Sequence, residues 1–162
     1  MIKKIKASKS EKIIFFFLIS LAIFSLSSFF LIKNKCLFVK DYNPDKLSFD
    51  KPNNIAILNV ECGNVIIELY PNISPNAVER FKTLVRSKAY DDVAFHRVIK
   101  DSLVQAGDLE FGKKGNIDYG KIGTGQSGLG TINSEIDVPF NYERGSVGLA
   151  RTQKYNTEDS QF

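Results

Sequence analysis

The sequence predicts a mainly β domain, an antiparallel β-barrel or sheet with one capping helix, preceded by a transmembrane helix. Three observations lead to this prediction. An uncharged apolar run occupies residues 13–32, two β-rich runs flank a Gly-Asn connection within residues 55–70, and residues 107–134 contain eight glycines. The segments do not alternate strand with helix along the chain, which argues against an α/β fold with a parallel sheet.

The apolar run predicts a membrane anchor. Its twenty residues would form a helix of about 30 Å, the thickness of a bilayer hydrocarbon core. Five lysines precede the run and three follow it, at Lys33, Lys35 and Lys40. Because the denser positive cluster stays in the cytoplasm, we predict a single-pass inner-membrane protein whose C-terminal domain is periplasmic or extracytoplasmic.

A cleaved signal peptide is the alternative interpretation of the apolar run. Signal peptides have shorter apolar regions, of about 7–15 residues, followed by a small-x-small cleavage site. Here Lys33, Asn34 and Lys35 follow the run, which favours an uncleaved anchor. The predicted organisation has four parts: a Lys-rich cytoplasmic segment (1–12), the transmembrane anchor (13–32), a polar turn-rich linker (33–52) and the exported domain (53–162).

The net charge of +4 originates at the N-terminal end of the chain. Residues 1–12 contain five lysines and one acid, which leaves 17 basic and 17 acidic residues in 13–162. A balanced domain of this kind does not indicate phosphate binding, so we expect no nucleic-acid partner. The glycine-rich stretch likewise contains no phosphate-binding motif.

The two cysteines, Cys36 and Cys62, form no Cys-x-x-Cys motif and no cluster with histidine, so we expect neither a zinc site nor a redox site. Cys36 lies close to the predicted membrane span and Cys62 in the predicted strand region. This separation favours two unpaired thiols, and a disulfide in an oxidising compartment is the alternative.

The domain begins with a predicted hairpin, whose strands at 55–60 and 65–70 are joined by four residues. A helix is predicted at 75–87, with Ser74 as N-cap and Pro75 in the first turn. Its apolar residues recur at helical spacing; they are Ala77, Val78, Phe81, Leu84 and Val85. Further strands are predicted at 94–99, 103–105 and 145–150.

Three polar residues in the apolar strands are candidates for a chemical role. His96, the only histidine, is interpreted as a hydrogen-bonded structural residue, because a catalytic triad needs partners that the sequence does not place. Arg97 points to the opposite face of its strand. Buried Arg97 and Gln105 each need a partner, so they either face a cleft or satisfy loop carbonyls.

Several motifs together resemble the cyclophilin family. Phe95-His96-Arg97-Val98-Ile99 is followed, after five residues, by Gln105-Ala106-Gly107-Asp108. Supporting matches occur in the same order as in the family, at residues 68–71, 74–78, 123–125, 145–151, 156 and 160–162. The resemblance covers about residues 54–162.

This resemblance implies an incomplete cyclophilin-like antiparallel β-barrel that isomerises X-Pro bonds of exported polypeptides and assists their folding, without metal or cofactor. It implies that Arg97 is the catalytic residue. It assigns the substrate-binding positions to Gln105, Leu103, Ser102, Ala150, Arg151 and Gln161. The expected partners are proline-containing polypeptides and, through residues 13–32, the lipid bilayer.

The sequence departs from the family pattern in three ways. Ser102 stands where the family usually has an aromatic residue, and Arg151 where it commonly has Asn. The resemblance stops at Phe162, before the closing strands and the last helix, so we expect a domain without its C-terminal third and of weak stability. Two alternatives therefore remain: an inactive relic or half of a split domain, and a non-catalytic module that binds proline-containing peptides.

Overall fold

The computed structural model describes residues 8–34, 36–37, 39, 42–136 and 141–162. The chain divides into two compact units, one of residues 1–48 and 57–66 and the other of residues 49–56 and 67–162. Its regular elements are helix α1 (Lys9–Lys33), strands β1 (Ile55–Val60) and β2 (Gly63–Glu68), helix α2 (Pro75–Arg86), and strands β3 (Arg97–Ile99) and β4 (Leu103–Gln105). Short 3-10 turns occur at Pro44–Lys46 and Pro52–Asn54.

Helix α1 contains the whole predicted anchor. It starts before the apolar run because Ser8 and Glu11 form a capping box: the Ser8 hydroxyl accepts from the Glu11 N–H (3.2 Å), and the Glu11 carboxylate accepts from the Ser8 N–H (2.6 Å). The helix is long and apolar enough to cross a membrane, a test that an N-terminal signal sequence also passes. Residues 1–7 of the predicted Lys-rich segment, together with Lys35 and Lys40, lie outside the described residues.

A disulfide joins Cys36 to Cys62, with 5.0 Å between their Cα atoms. The expectation of two unpaired thiols was therefore wrong. The chain turns directly after α1, where the Leu37 N–H donates to the Asn34 carbonyl (3.1 Å), and Cys62 lies in the turn of the first hairpin rather than within a strand. Both cysteines thus occupy turns, where the backbone can bring two Cβ atoms close.

The first hairpin forms as predicted, with β1 and β2 in one two-stranded sheet. Its connection is shorter than the four residues predicted, because β2 already begins at Gly63 and only Glu61 and Cys62 form the turn. Gly63 has a φ of +140°, a conformation that residues with a Cβ rarely adopt. The second strand ends at Glu68, two residues before the predicted end at Tyr70.

Helix α2 confirms the predicted helix to within one residue, and it buries Val78, Phe81 and Leu84. Val85, predicted on the same face, is 42% exposed. The predicted capping by Ser74 is wrong: Ser74 occupies the N-cap position but its side chain makes no capping hydrogen bond. The Glu135 carboxylate takes that role instead, accepting from the N–H groups of Asn76 (2.9 Å) and Ala77 (3.0 Å).

An aromatic cluster forms the core of the second unit. The rings of Phe81, Tyr90 and Phe162 pack with centroid separations of 5.2–5.3 Å, in tilted and edge-on arrangements that aromatic pairs favour. Ile67 and Ala106 are also buried. The Tyr90 hydroxyl donates to the Ser160 carbonyl (2.7 Å), and burial raises the pKa of Tyr90, so the phenol remains neutral.

The β structure is less extensive than predicted. Strand β3 covers only the last three residues of the predicted 94–99, and β4 matches 103–105. The described residues contain two separate two-stranded sheets. The strand predicted at 145–150 is absent. Among the described residues, one backbone hydrogen bond joins this stretch to a segment beside it, from the Ala150 N–H to the Gln161 carbonyl (2.7 Å). One bond is too few for a ladder.

Candidate active site

The second hairpin brings Arg97 and Gln105 together. Strands β3 and β4 are antiparallel, with Arg97 paired to Gln105 and Ile99 paired to Leu103. Paired residues in an antiparallel sheet project to the same face, so Arg97, Gln105 and Leu103 share one face. Arg97 Nη1 donates to Gln105 Oε1 at 3.4 Å, and the guanidinium remains exposed on the surface.

The C-terminal segment adds Gln161 to this face. Reciprocal backbone hydrogen bonds between Ala106 and Phe162 (2.9 and 3.0 Å) hold the segment beside the end of β4. Gln105 Nε2 then donates to Gln161 Oε1 at 2.9 Å. Because the Ala150 N–H donates to the Gln161 carbonyl (2.7 Å), Ala150 is brought to the same place.

The other two expected binding residues lie elsewhere. Ser102 lies in the turn of the second hairpin, exposed, where its N–H donates to the Ile99 carbonyl (3.1 Å). The guanidinium of Arg151 lies 4.9 Å from the Tyr155 ring centroid, and its Nε is 3.9 Å from a Glu158 carboxylate oxygen. In the described part of the chain, Arg151 is thus held by its own segment and not by the group around Arg97.

His96 lies next to this face. Its Nδ1 atom is buried without a hydrogen-bond partner among the described residues, and a Cβ added at Gly123 would come 3.4 Å from its ring. The ring therefore packs against Gly123, in the glycine-rich loop at residues 123–125. Within the described ranges, no group of three or more His, Cys, Asp or Glu side chains is placed to bind a metal ion.

Asp108 and Asp159 are buried acids that sequence reasoning did not single out. Asp108 is fully buried, and a Cβ at Gly125 would collide with its carboxylate, so that position requires glycine. Asp159, which is 5% exposed, accepts hydrogen bonds from Arg80 and Ser127. One feature of the sequence could have identified Asp108: an acid placed directly after Gly107, in a segment rich in glycine, where backbone N–H groups are unusually accessible.

Residues 55–162 match the family model described as cyclophilin type peptidyl-prolyl cis-trans isomerase/CLD. The chain belongs to the cyclophilin family. One similar protein, named a probable peptidyl-prolyl cis-trans isomerase, from Brucella suis, is 44% identical over 114 residues, which cover 68% of this chain and 57% of that protein. The peptidyl-prolyl cis-trans isomerase-like 2 protein of Gibberella zeae is 35% identical over 114 residues, or 69% of this chain and 18% of that protein.

This cyclophilin therefore spans little more than half the length of the Brucella relative that it matches. Its matched region contains all the residues of the second hairpin and the C-terminal segment described above. The family match bears out the resemblance drawn from the Phe-His-Arg and Gln-Ala-Gly-Asp motifs, and it includes the whole of the face that carries Arg97.

Proposed function

We propose that this cyclophilin accelerates the cis–trans isomerisation of X-Pro bonds in exported polypeptides. The observation that carries the proposal is the exposed Arg97 guanidinium, which Gln105 contacts on a face shared with Leu103. Family membership and the names of the two relatives support the same activity. In this proposal Arg97 is the catalytic residue.

The reaction needs a fixed charge and no covalent chemistry. Rotation about an X-Pro bond breaks amide resonance, at a barrier of about 18–20 kcal/mol. As the bond twists, the prolyl nitrogen becomes pyramidal and a better hydrogen-bond acceptor. A guanidinium directed at that nitrogen stabilises the twisted state more than either planar state, which lowers the barrier. Arginine suits this role because it keeps its charge and presents a rigid set of donors.

The remaining binding residues are proposed to hold the substrate around Arg97. Gln105 and Gln161 would bond to the peptide backbone, and half-buried Leu103 would contact the proline ring. Ala150 would line the peptide groove beside Gln161. Ser102 and Arg151 lie away from the other proposed substrate-binding residues, and each would contact the substrate at the edge of the groove.

The test uses the full chain in detergent micelles and an Ala-Pro peptide whose exchange is followed by NMR. Arg97→Ala is expected to reduce the acceleration by about a hundredfold, the cost of removing one donor aimed at developing charge. Arg86→Ala is the matched control, because Arg86 is an exposed arginine on α2 and should leave the rate unchanged. Peptide binding without acceleration, or acceleration that survives Arg97→Ala, would contradict the proposal.

We further propose that the two small sheets belong to an antiparallel barrel of the family type. Val98 and Val104 are cross-strand partners, and they are 66% and 57% exposed. An apolar pair of this kind is covered once further strands pack on it. Amide hydrogen exchange tests this: slow exchange at both valines would support a covered sheet, and exchange at the rate of a free hairpin would argue against it.

We also propose that α1 anchors the protein in the inner membrane, with the N-terminus cytoplasmic and the domain outside. The 25-residue length of α1 and its exposed apolar side chains support an anchor. The Cys36–Cys62 disulfide supports an oxidising compartment for the domain. Retention of the whole chain in membranes washed with alkaline carbonate would support anchoring, and release of a shortened chain would identify a cleaved signal peptide.

A further inference from the structure

A fully buried carboxylate lies at one end of a chain of hydrogen bonds. Asp108 Oδ1 accepts from the N–H groups of Glu110 (3.2 Å) and Phe111 (2.8 Å), and Oδ2 accepts from those of Gly123 (2.6 Å) and Gly125 (2.9 Å). No lysine or arginine in the described part of the chain pairs with this carboxylate. Four backbone donors therefore replace water around a buried charge, which would otherwise be costly.

The charge on Asp108 is maintained by these donors. Burial by itself would raise the pKa of Asp108, but the backbone hydrogen bonds from Phe111, Gly125, Gly123 and Glu110 lower it below its ordinary value. The carboxylate is thus ionised at neutral pH, and it accepts from all four donors at once. Two of the donors belong to the glycine-rich loop, so Asp108 fixes the loop at Gly123 and Gly125.

The same two glycines hold Gln161 through their carbonyls. Gln161 Nε2 donates to the carbonyl oxygens of Gly123 (3.1 Å) and Gly125 (2.9 Å). Because the Gln161 amide nitrogen is bonded to the loop, the Gln161 amide oxygen faces Gln105. Gln105 Nε2 donates to that oxygen at 2.9 Å. The orientation of one glutamine therefore sets the orientation of the next.

Arg97 lies at the far end of this chain. Because Gln105 donates through Nε2, its Oε1 is directed toward Arg97, where it accepts from Nη1 at 3.4 Å. Carbonyl groups only accept and a guanidinium only donates, so each amide between them must direct its NH₂ group toward the loop and its oxygen toward the guanidinium. Reversing the Gln105 amide would place its NH₂ group against the guanidinium. Reversing the Gln161 amide would place its NH₂ group against that of Gln105, so either change breaks a contact in the chain.

We infer that Asp108 is a positioning residue for Arg97, acting through the loop at 123–125 and through Gln161 and Gln105. This inference rests on the proposed function, in which Arg97 is the catalytic group. Asp108 is fully buried, and its hydrogen bonds in the described part of the chain run to backbone N–H groups and not to Arg97. Its role is to hold the loop carbonyls where Gln161 can bind them, which fixes the direction of the amide that faces the guanidinium.

The decisive experiment substitutes Asp108 in the presence and absence of Arg97. Asp108→Asn places an NH₂ group among four N–H donors and should release the loop. We expect kcat to fall on the order of tenfold with KM little changed, since misplacing a catalytic group by about 1 Å can cost up to a hundredfold. In an Arg97→Ala background, the same substitution should leave the residual rate unchanged. Equal losses in both backgrounds would overturn the inference and assign Asp108 to folding alone.

A second readout does not depend on activity. The Nε–Hε signal of Arg97 in ¹H–¹⁵N spectra of the full chain in micelles should shift or broaden in Asp108→Asn, and an unmoved signal would overturn the inference. Failure of the proposed function is seen separately, as absence of acceleration by the unsubstituted chain. Asp159→Asn is the matched control, a buried acid bound by Arg80 and Ser127 outside the chain of amides, and it should leave the Arg97 signal in place.

A variant closer to Arg97 covers the case in which Asp108→Asn does not fold. Gln161→Met keeps the volume of a half-buried side chain but removes both the donor to the loop and the acceptor for Gln105. It is expected to shift the Arg97 signal in the same direction. An Arg97 signal that stays in place in Gln161→Met would show that the orientation of Gln161 does not affect the position of Arg97. That result would also overturn the inference.

Discussion

The two helices of this cyclophilin differ in how their apolar residues are arranged. Helix α1 contains 25 residues with no buried side chain, although apolar residues occupy every side of it. Helix α2 contains 12 residues and buries Val78, Phe81 and Leu84 along one side. A helix that is apolar all round needs a lipid or protein solvent, whereas an amphipathic helix needs one partner surface. The distribution of apolar residues, more than their number, therefore decides what stabilises each helix.

The largest effect expected from this comparison follows from a phenylalanine in each helix. Phe81 is 7% exposed and packs against Tyr90 and Phe162, while Phe24 of α1 is 72% exposed. Phe81→Ala should lower the free energy of unfolding of the domain by about 3–5 kcal/mol. Phe24→Ala should leave it unchanged. Urea unfolding of the full chain in micelles measures the free energy of unfolding of both variants. Equal losses would contradict the distinction drawn between the two helices.

A charge in the middle of α1 tests the proposed anchoring and should have the next largest effect, on insertion and not on folding. Ile23 is 61% exposed within the helix. Ile23→Arg should disfavour membrane insertion by about 2.5–3.5 kcal/mol, so that part of the protein appears in the soluble fraction after an alkaline wash. Ile23→Leu keeps the helix apolar and serves as the control. Full retention of the arginine variant would show that α1 is not held by the bilayer core.

A smaller effect is expected at the start of α2, where a distant residue caps the helix. Removing the carboxylate in Glu135→Ala should cost about 1 kcal/mol of stability, as for other N-cap losses. Ser74→Ala is the matched control, because the Ser74 side chain makes no capping bond. Both are measured by thermal unfolding of the full chain. A greater loss with Ser74→Ala than with Glu135→Ala would restore the serine as the functional cap.

The sequence predicted best what depends on neighbouring residues. The apolar spacing located α2 to within one residue, and the apolar run located the part of α1 at residues 13–32. Features that depend on distant contacts escaped prediction. Glu135 caps α2 from nearly sixty residues away. The stretch 145–150 has β-like composition, but no strand in the described part of the chain pairs with it.

The same distinction applies to the candidate site. Arg97 and Gln105 are joined by a short hairpin, so their proximity follows from local structure once the two strands are recognised. Gln161 reaches them only because the C-terminal segment pairs with Ala106, and its expected role came from the family resemblance. Asp108 was seen as part of a motif, yet its function as an acceptor for four N–H groups depends on where the glycine-rich loop folds.

For a domain anchored through α1, as proposed, the disulfide has a consequence for release. Cys36 and Cys62 lie 26 positions apart in sequence, and the backbone between them is a covalently closed ring. A protease that cuts within the ring, for example near Pro44 or Pro52, opens the backbone but leaves its two ends joined through sulfur. Shedding of the domain by such a cut would require a reductant as well as a protease, so that neither agent acting alone would free it.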